Sequence, residues 1–409
     1  MARVRVLPPG WGLRLLPGLS AYVSIPSRIP GPVVFRFPKL VRGKNARSFP
    51  LGYSPSLDGA RGLMTVGVLA AHLQYSWYPG AIVFMDTFFV MSSYLITSLL
   101  LKDYTSGARV NFRRFYARRA RRLLPCLLVM LLVYTAVAAL LRRPWEAELK
   151  AIAAALFYYM NWARAFDWPM SISLGHTWSL AIEEQFYIVW PLLFALVMYL
   201  RSLKVMVIAS LIAGAALSAA WRLALAEDGA TFNRLYNATD VRLDGLSLGA
   251  ALAFAIRGRH GGFPARLRRA FDWLTPTAGG ILFVAGFSVS YYDRSWYLWQ
   301  SQVCVVLSTL LVAGLVISPR TLLHPLLESA PAVFLGKICY GLYVWHFPVF
   351  FTMEHHLGID LPVRVAVGLP LLLLIATLSY NLIELPFISR EPRATARGGI
   401  QTPEPSAAH

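Results

Sequence analysis

Ten stretches of this chain meet or approach 20 mainly apolar residues: 57–77, 81–101, 123–141, 177–199, 203–221, 240–256, 274–290, 299–318, 332–352 and 363–383. A helix needs about that length to cross a hydrocarbon core of roughly 30 Å. Within that core every backbone polar group must be satisfied inside the protein, so helices are the natural solution. The expected fold is therefore all-α and polytopic, with about ten transmembrane helices. Composition agrees, since 57% of the residues are hydrophobic and 14% charged, whereas soluble domains sit near 45–50% and about 25%. An eleventh stretch, 149–163, is shorter and carries Lys150 and Asn161 near its ends.

Charge sets the expected topology. The net charge of +19 would suggest nucleic acid in a soluble chain. Here the charges fall in bursts between apolar runs, which argues for membrane topology and against a nucleic-acid partner. Residues 1–50 hold nine Lys/Arg and no acid; 102–122 hold eight against Asp103 alone; 257–271 hold five Arg. All three are expected on the cytoplasmic side. The chain must then cross an odd number of times between 142 and 257, so 149–163 is expected at the outer interface. Both termini fall in the cytoplasm, and the expected location is the plasma membrane. Residues 1–52 read as a basic flexible tail, 53–389 as the membrane domain and 390–409 as a disordered tail. Cys126, Cys304 and Cys339 are far apart in apolar surroundings, and neither a disulfide framework nor a metal site is expected.

Ionisable groups inside a membrane are costly and mark function by default. The first span carries Asp58 and Arg61 at one end and His72 eleven residues on, roughly 16 Å along a helix axis. The fourth opens on His176, Trp178 and Ser179, with Glu183 and Glu184 following. The sixth opens on Asp240, Arg242 and Asp244. The ninth carries Tyr340, Tyr343, Trp345 and His346, and the tenth ends with Glu384 and Pro386.

The motifs run in order. They are Leu57-Asp58-Gly59-Ala60-Arg61-Gly62 with His72, and Phe88-Phe89-Val90-Met91-Ser92-Ser93. Next come Arg113-Arg114-Phe115-Tyr116-Ala117-Arg118-Arg119 and His176-Thr177-Trp178-Ser179 with Glu183-Glu184. Cys339-Tyr340-Gly341-Leu342-Tyr343-Val344-Trp345-His346 and Ile383-Glu384-Leu385-Pro386 close the series. The series resembles the acyltransferase-3 family of integral membrane O-acyltransferases, of the bacterial polysaccharide O-acetylase type, over about residues 55–390. The resemblance implies a ten-helix core. It implies acyl-CoA, acetyl-CoA first, as donor substrate, with no permanently bound cofactor. The implied acceptor is a hydroxyl of a glycan, glycolipid or glycosylated metabolite. It implies His72 as the leading catalytic residue and Arg61 as the arginine of the first motif. The basic motif matches Arg114, Arg118 and their neighbours. The chain departs from the family in having Ser93 where Gly is usual and Cys339 where Ser is usual.

Chemistry points the same way. Acyl transfer from a thioester to an alcohol needs a base and charge stabilisation for the oxyanion. His72 is the candidate base, or a covalent acyl relay. Asp58 and Arg61 are expected to support it, and Glu183 or Glu184 to assist near the acceptor. Arg114, Arg118, Arg119 and Arg122 are candidates for the CoA phosphates. His176, Trp178, Tyr343 and His346 are candidates for the acceptor, with Tyr187 and Trp345 as further aromatic surfaces. Glu384 is expected to be structural, orienting an arginine. Two other readings stay open: a macrolide-type antibiotic-tailoring O-acyltransferase, and a transporter or flippase with no chemistry. Oligomeric state is not legible.

Overall fold

The computed structural model describes residues 54–107, 110–200, 203–257, 262–318 and 321–388. The expected tails, 1–52 and 390–409, lie outside the described residues, as does residue 389. Among the described residues the structure is helical throughout, without strands. In chain order come α1 Pro55–Leu73, α2 Ile82–Gly107, α3 Phe112–Leu140, α4 Trp145–Leu156, α5 Met160–Ala165, α6 Trp178–Tyr199 and α7 Lys204–Glu227. They are followed by α8 Phe232–Asn237, α9 Leu243–Ile256, α10 Ala265–Ser288, α11 Ser301–Ile317, α12 His324–Leu327 and α13 Ala330–Phe351. The last element, α14 Leu361–Ile388, is one long apolar helix interrupted by π turns.

Each of the ten apolar stretches lies on a helix. Among the described residues seven segments are long and apolar enough to cross a membrane, containing α2, α3, α6, α7, α11, α13 and α14. The helix α1 falls outside that set with Asp58 and Arg61 in its first turns, and α10 with Arg266, Arg268, Arg269 and Asp272 in its own. The helix α9 has 14 residues, about 21 Å of rise. The stretch 149–163 is broken: α4 ends before Phe157, and Tyr158 takes a left-handed φ of 55°, which a continuing helix excludes. Helices also overrun the apolar stretches. Arg113 to Arg122 form the first turns of α3, where the Asn111 side chain accepts from the Arg114 N–H at 2.9 Å. Arg, Lys and Glu are good helix formers, so apolarity marks burial in lipid rather than helix ends. Large apolar side chains such as Leu132, Leu140, Val205 and Leu217 stand at 70% exposure or more, a surface suited to hydrocarbon.

Small residues set the helix register. A Cβ on Gly62 would lie 2.5 Å from the Ala332 carbonyl oxygen, and one on Gly336 1.9 Å from that of Asp58. The backbones of α1 and α13 therefore touch, as close packing in membranes requires. The pairing of α2 with α9 answers the Ser93 departure. There Gly249 supplies the space, its missing Cβ falling 2.1 Å from both Ser93 Oγ and the Val90 carbonyl oxygen. Two buried ion pairs tie the same layer: Arg242 at the start of α9 to Asp86 of α2, and Arg222 of α7 to Asp244 of α9, each at 2.8 Å.

Candidate functional site

Four adjoining chambers form a row, the first three along α1, α2 and α6 and the fourth between α5, α8 and the loops beside them. The first, about 570 Å³, lies at the N-terminal end of α1 and is lined by Asp58, Arg61, Arg118, Arg119, Arg121 and Arg122. The second is a narrow central chamber of about 140 Å³, sharing Arg61, Ser92, Arg119, Arg122 and Tyr187 with the first and adding Glu183 and Cys339. The third, about 230 Å³, shares Met85 and Tyr343 with the second and holds His72, His176 and Trp178. The fourth, about 490 Å³, shares Arg164, Ile172 and Tyr291 with the third. The helix registers agree: α6 contributes Trp178 to the third, Glu183 to the second and Tyr187 to the first two.

Three histidines meet at the third chamber. The His72 and His346 rings are 4.8 Å apart by centroid, and His176 and His346 5.2 Å. Phe347 stands against His72 and His176 at 5.3 Å from each. Each imidazole is oriented by a backbone carbonyl: His72 Nδ1 by Val68 at 2.9 Å, His346 Nδ1 by Tyr343 at 2.6 Å, and His176 Nε2 by Val344 at 3.2 Å. A carbonyl only accepts, so in the neutral rings these nitrogens carry the proton and the other nitrogen holds a lone pair. His176 Nδ1 and His346 Nε2 are sealed in without a partner, and both residues are buried. His72 alone is exposed, into the chamber it lines.

The turn carrying His176 is well anchored. The Tyr343 hydroxyl donates to the His176 carbonyl at 2.7 Å, and the Ser179 hydroxyl lies 2.6 Å from it. Arg143 pairs with buried Glu148 at 2.6 Å and donates to Ser171 and Ser173, which precede His176. Tyr134 donates a short hydrogen bond to the same carboxylate.

The structure sorts the sequence candidates. His72, His176, Trp178 and Tyr343 line one chamber, and His346 backs it. Arg61 and Asp58 lie beside each other at 3.7 Å in the basic chamber, roughly three turns of α1 from His72. Glu183 lines the central chamber, but Glu184 holds Arg119 at 3.1 Å and lines neither that chamber nor the histidine one. The Arg119 guanidinium also stacks on Tyr187 at 3.2 Å. Tyr187 thus belongs to the basic side rather than to the histidine chamber. Trp345 is buried with its Nε1 unpartnered. Arg118 is paired with Asp103 at 2.9 Å and Arg122 lines both basic chambers. Arg114 is exposed and lines none of the four chambers. Glu384 is buried beside Gly341 with one carboxylate oxygen unpartnered, and among the described residues no arginine pairs with it. Arg121, in the basic chamber, and Arg164, between the third and fourth, were not singled out from sequence. The signal for Arg164 was a lone cation in the aromatic run Tyr159-Met160-Asn161-Trp162-Ala163-Arg164-Ala165-Phe166.

Comparison with known proteins follows this geometry. A family profile described as an acyltransferase domain matches residues 54–381. O-acetyltransferase OatA of Staphylococcus aureus (strain NCTC 8325 / PS 47) is 30% identical over 360 residues, 84% of this chain and 58% of that protein. A Staphylococcus aureus protein of strain MSSA476, provisionally named an O-acetyltransferase, is 33% identical over 353 residues, 82% of this chain and 57% of its own. The chain thus spans little more than half the length of these curated relatives. No solved structure matches.

Proposed function

The chain belongs to the acyltransferase-3 family, and on that premise we propose that it is an integral membrane O-acyltransferase of the plasma membrane. In this reading it crosses the bilayer ten times with both termini in the cytoplasm. It moves an acyl group, acetyl first, from acyl-CoA to a hydroxyl of a glycan, glycolipid or glycosylated metabolite. The observation that carries the reading is the row of adjoining chambers, with arginines at one end and an accessible, oriented histidine further along.

Arg61, Arg121 and Arg122 would take the phosphates of CoA, because arginine binds phosphate through paired N–H groups. Arg118 and Arg119, held by Asp103 and Glu184, would shape that chamber. The thin thioester arm would extend through the central chamber toward His72. The acceptor hydroxyl gives its proton to His72 Nε2 as its oxygen attacks the thioester carbonyl. The tetrahedral intermediate then expels the CoA thiolate, which takes up a proton as the ester forms. His176, Trp178 and Tyr343 would hold the acceptor, and His346 would hold the His72 ring in place.

Transfer from radiolabelled acetyl-CoA in membranes containing the full chain tests this reading. Wild-type membranes are expected to label a glycan or glycoside fraction, and His72→Ala membranes with equal folded protein are expected not to. Unchanged labelling in His72→Ala would remove His72 from the chemistry. A labelled histidine trapped after brief exposure without acceptor would make His72 a covalent relay in place of a base.

A further inference from the structure

Arg164 sits on short α5, where the histidine chamber meets the fourth chamber. Its guanidinium fills the hollow left by Gly175, the residue before His176: a Cβ there would lie 2.9 Å from Nη1 and 3.7 Å from Cζ. Among the described residues it has neither a hydrogen-bond partner nor a carboxylate within ion-pair distance. The nearest acid in sequence, Asp167, lines the fourth chamber and accepts instead from the Asn233 amide. The other groups lining the junction are Tyr291 and Ile172, with Tyr236, His72 and His176 deeper in. Among the described residues the buried arginines have acids: Arg222 has Asp244, Arg242 has Asp86 and Arg364 has Glu354; half-buried Arg164 has none. A half-buried guanidinium on a chamber wall, with no counter-charge from the protein, is placed to meet an anion that enters the chamber. Its planar fork suits a carboxylate or a phosphate.

We propose that Arg164 selects the acceptor by charge: the molecule acylated at the histidine chamber carries an oxyanion, carboxylate or phosphate, close to its reacting hydroxyl. This rests on the acyl-transfer reading and adds the chemical class of acceptor to it. The charged group would sit against Arg164 on the Gly175 side, bringing a neighbouring hydroxyl toward His72.

The test is binding of three glycosides to the purified full chain by calorimetry, without donor: methyl glucuronide, methyl glucoside and methyl glucoside 6-phosphate. The expected result is millimolar or tighter binding of an anionic glycoside and none of the neutral one. Binding of one anion alone identifies carboxylate or phosphate as the recognised group. Arg164→Gln is expected to weaken anion binding roughly tenfold or more, the loss of a charge-assisted pair. Arg164→Lys should keep part of it. Because Arg164 has no protein partner, both variants should keep the wild-type melting temperature. The proposal falls if the neutral glycoside binds as well as the charged ones, if Arg164→Gln binds like wild type, or if neither anion binds. It also falls if Arg164→Gln slows transfer equally to neutral and charged acceptors, which would make Arg164 an oxyanion stabiliser. Acetyl-CoA binding, measured separately, keeps the two readings apart. Its absence from wild type sinks acyl transfer, whereas failure of the glycosides with acetyl-CoA binding intact sinks only charge selection.

Discussion

Arg242 and Asp86 offer a quantitative test of what holds the histidine chamber in shape. Asp86 is 1% exposed and Arg242 fully buried, 2.8 Å apart. Arg242 also donates from Nε to the Tyr236 carbonyl at 3.0 Å and lies over the Tyr236 ring at 4.6 Å. Tyr236 and its neighbour Trp178, ring centroids 4.6 Å apart, line the chamber. Removing one member of a buried pair costs about 3–5 kcal/mol, because the survivor keeps its desolvation penalty. Asp86→Leu leaves Arg242 its carbonyl and ring contacts, so about 3 kcal/mol is expected, near the bottom of that range. Arg242→Met removes the pair, the hydrogen bond and the ring contact together, so a value nearer 5 kcal/mol is expected. That gap is roughly a factor of 30 in the folded-to-unfolded ratio. The double variant removes both desolvated charges and should be more stable than either single one. Reversible unfolding of the full chain in mixed detergent–denaturant micelles measures all four forms. Additive single costs, or an Asp86→Leu cost below about 1 kcal/mol, would refute the claim that this pair is a coupled buried unit.

Three further outcomes are expected. Gly336→Ala should cost about 1–3 kcal/mol by overpacking α13 against α1 and lower turnover, whereas Gly280→Ala, whose added Cβ meets nothing within 4 Å, should be neutral or stabilise by up to about 1 kcal/mol; thermal melts compare them. Arg122→Ala should weaken acetyl-CoA binding about 10- to 100-fold, the worth of a charge-assisted hydrogen bond, while Arg114→Ala leaves it unchanged in the same titration. Glu148→Gln should destabilise by about 3 kcal/mol, since it strips the charge partner from Arg143, and should lower kcat while sparing KM for the donor, which steady-state kinetics will read.

The helical segments were legible because lipid demands long apolar runs, and the first four residues of interest, Asp58, Arg61, His72 and His176, stood out as polar groups inside them. What could not be read was which faces meet. The rings of His72 and His346 come together because Gly62 and Gly336 fix the register of α1 on α13, and apolar periodicity says nothing about that contact. Glu183 and Glu184 are adjacent in sequence but face different surroundings, one the central chamber and the other Arg119. Arg114 and Arg122 lie in the same basic stretch of α3, yet eight residues of helix put one outside the chambers and the other on their walls. Arg164 escaped because its segment is too short to span and its meaning lies in the missing side chain of Gly175.

The narrow middle of the chamber row has a consequence for the cell's energy supply. In the proposed topology, polar hollows approach each other from both faces of a membrane that stores a proton gradient, and an open file of water between them would discharge it. The larger hollows, about 570 and 490 Å³, can hold water freely. The seal falls to the 140 Å³ middle, with Met85 and Tyr343 at its boundary with the histidine chamber. At that boundary Met85 is apolar and the Tyr343 hydroxyl is already committed to the His176 carbonyl and to Ser179, which leaves water little to bind there while a thin carbon–sulfur arm could pass. The proposed thioester chemistry would suit such a barrier, because the group that passes would be small and uncharged and the nucleotide that delivers it would stay behind.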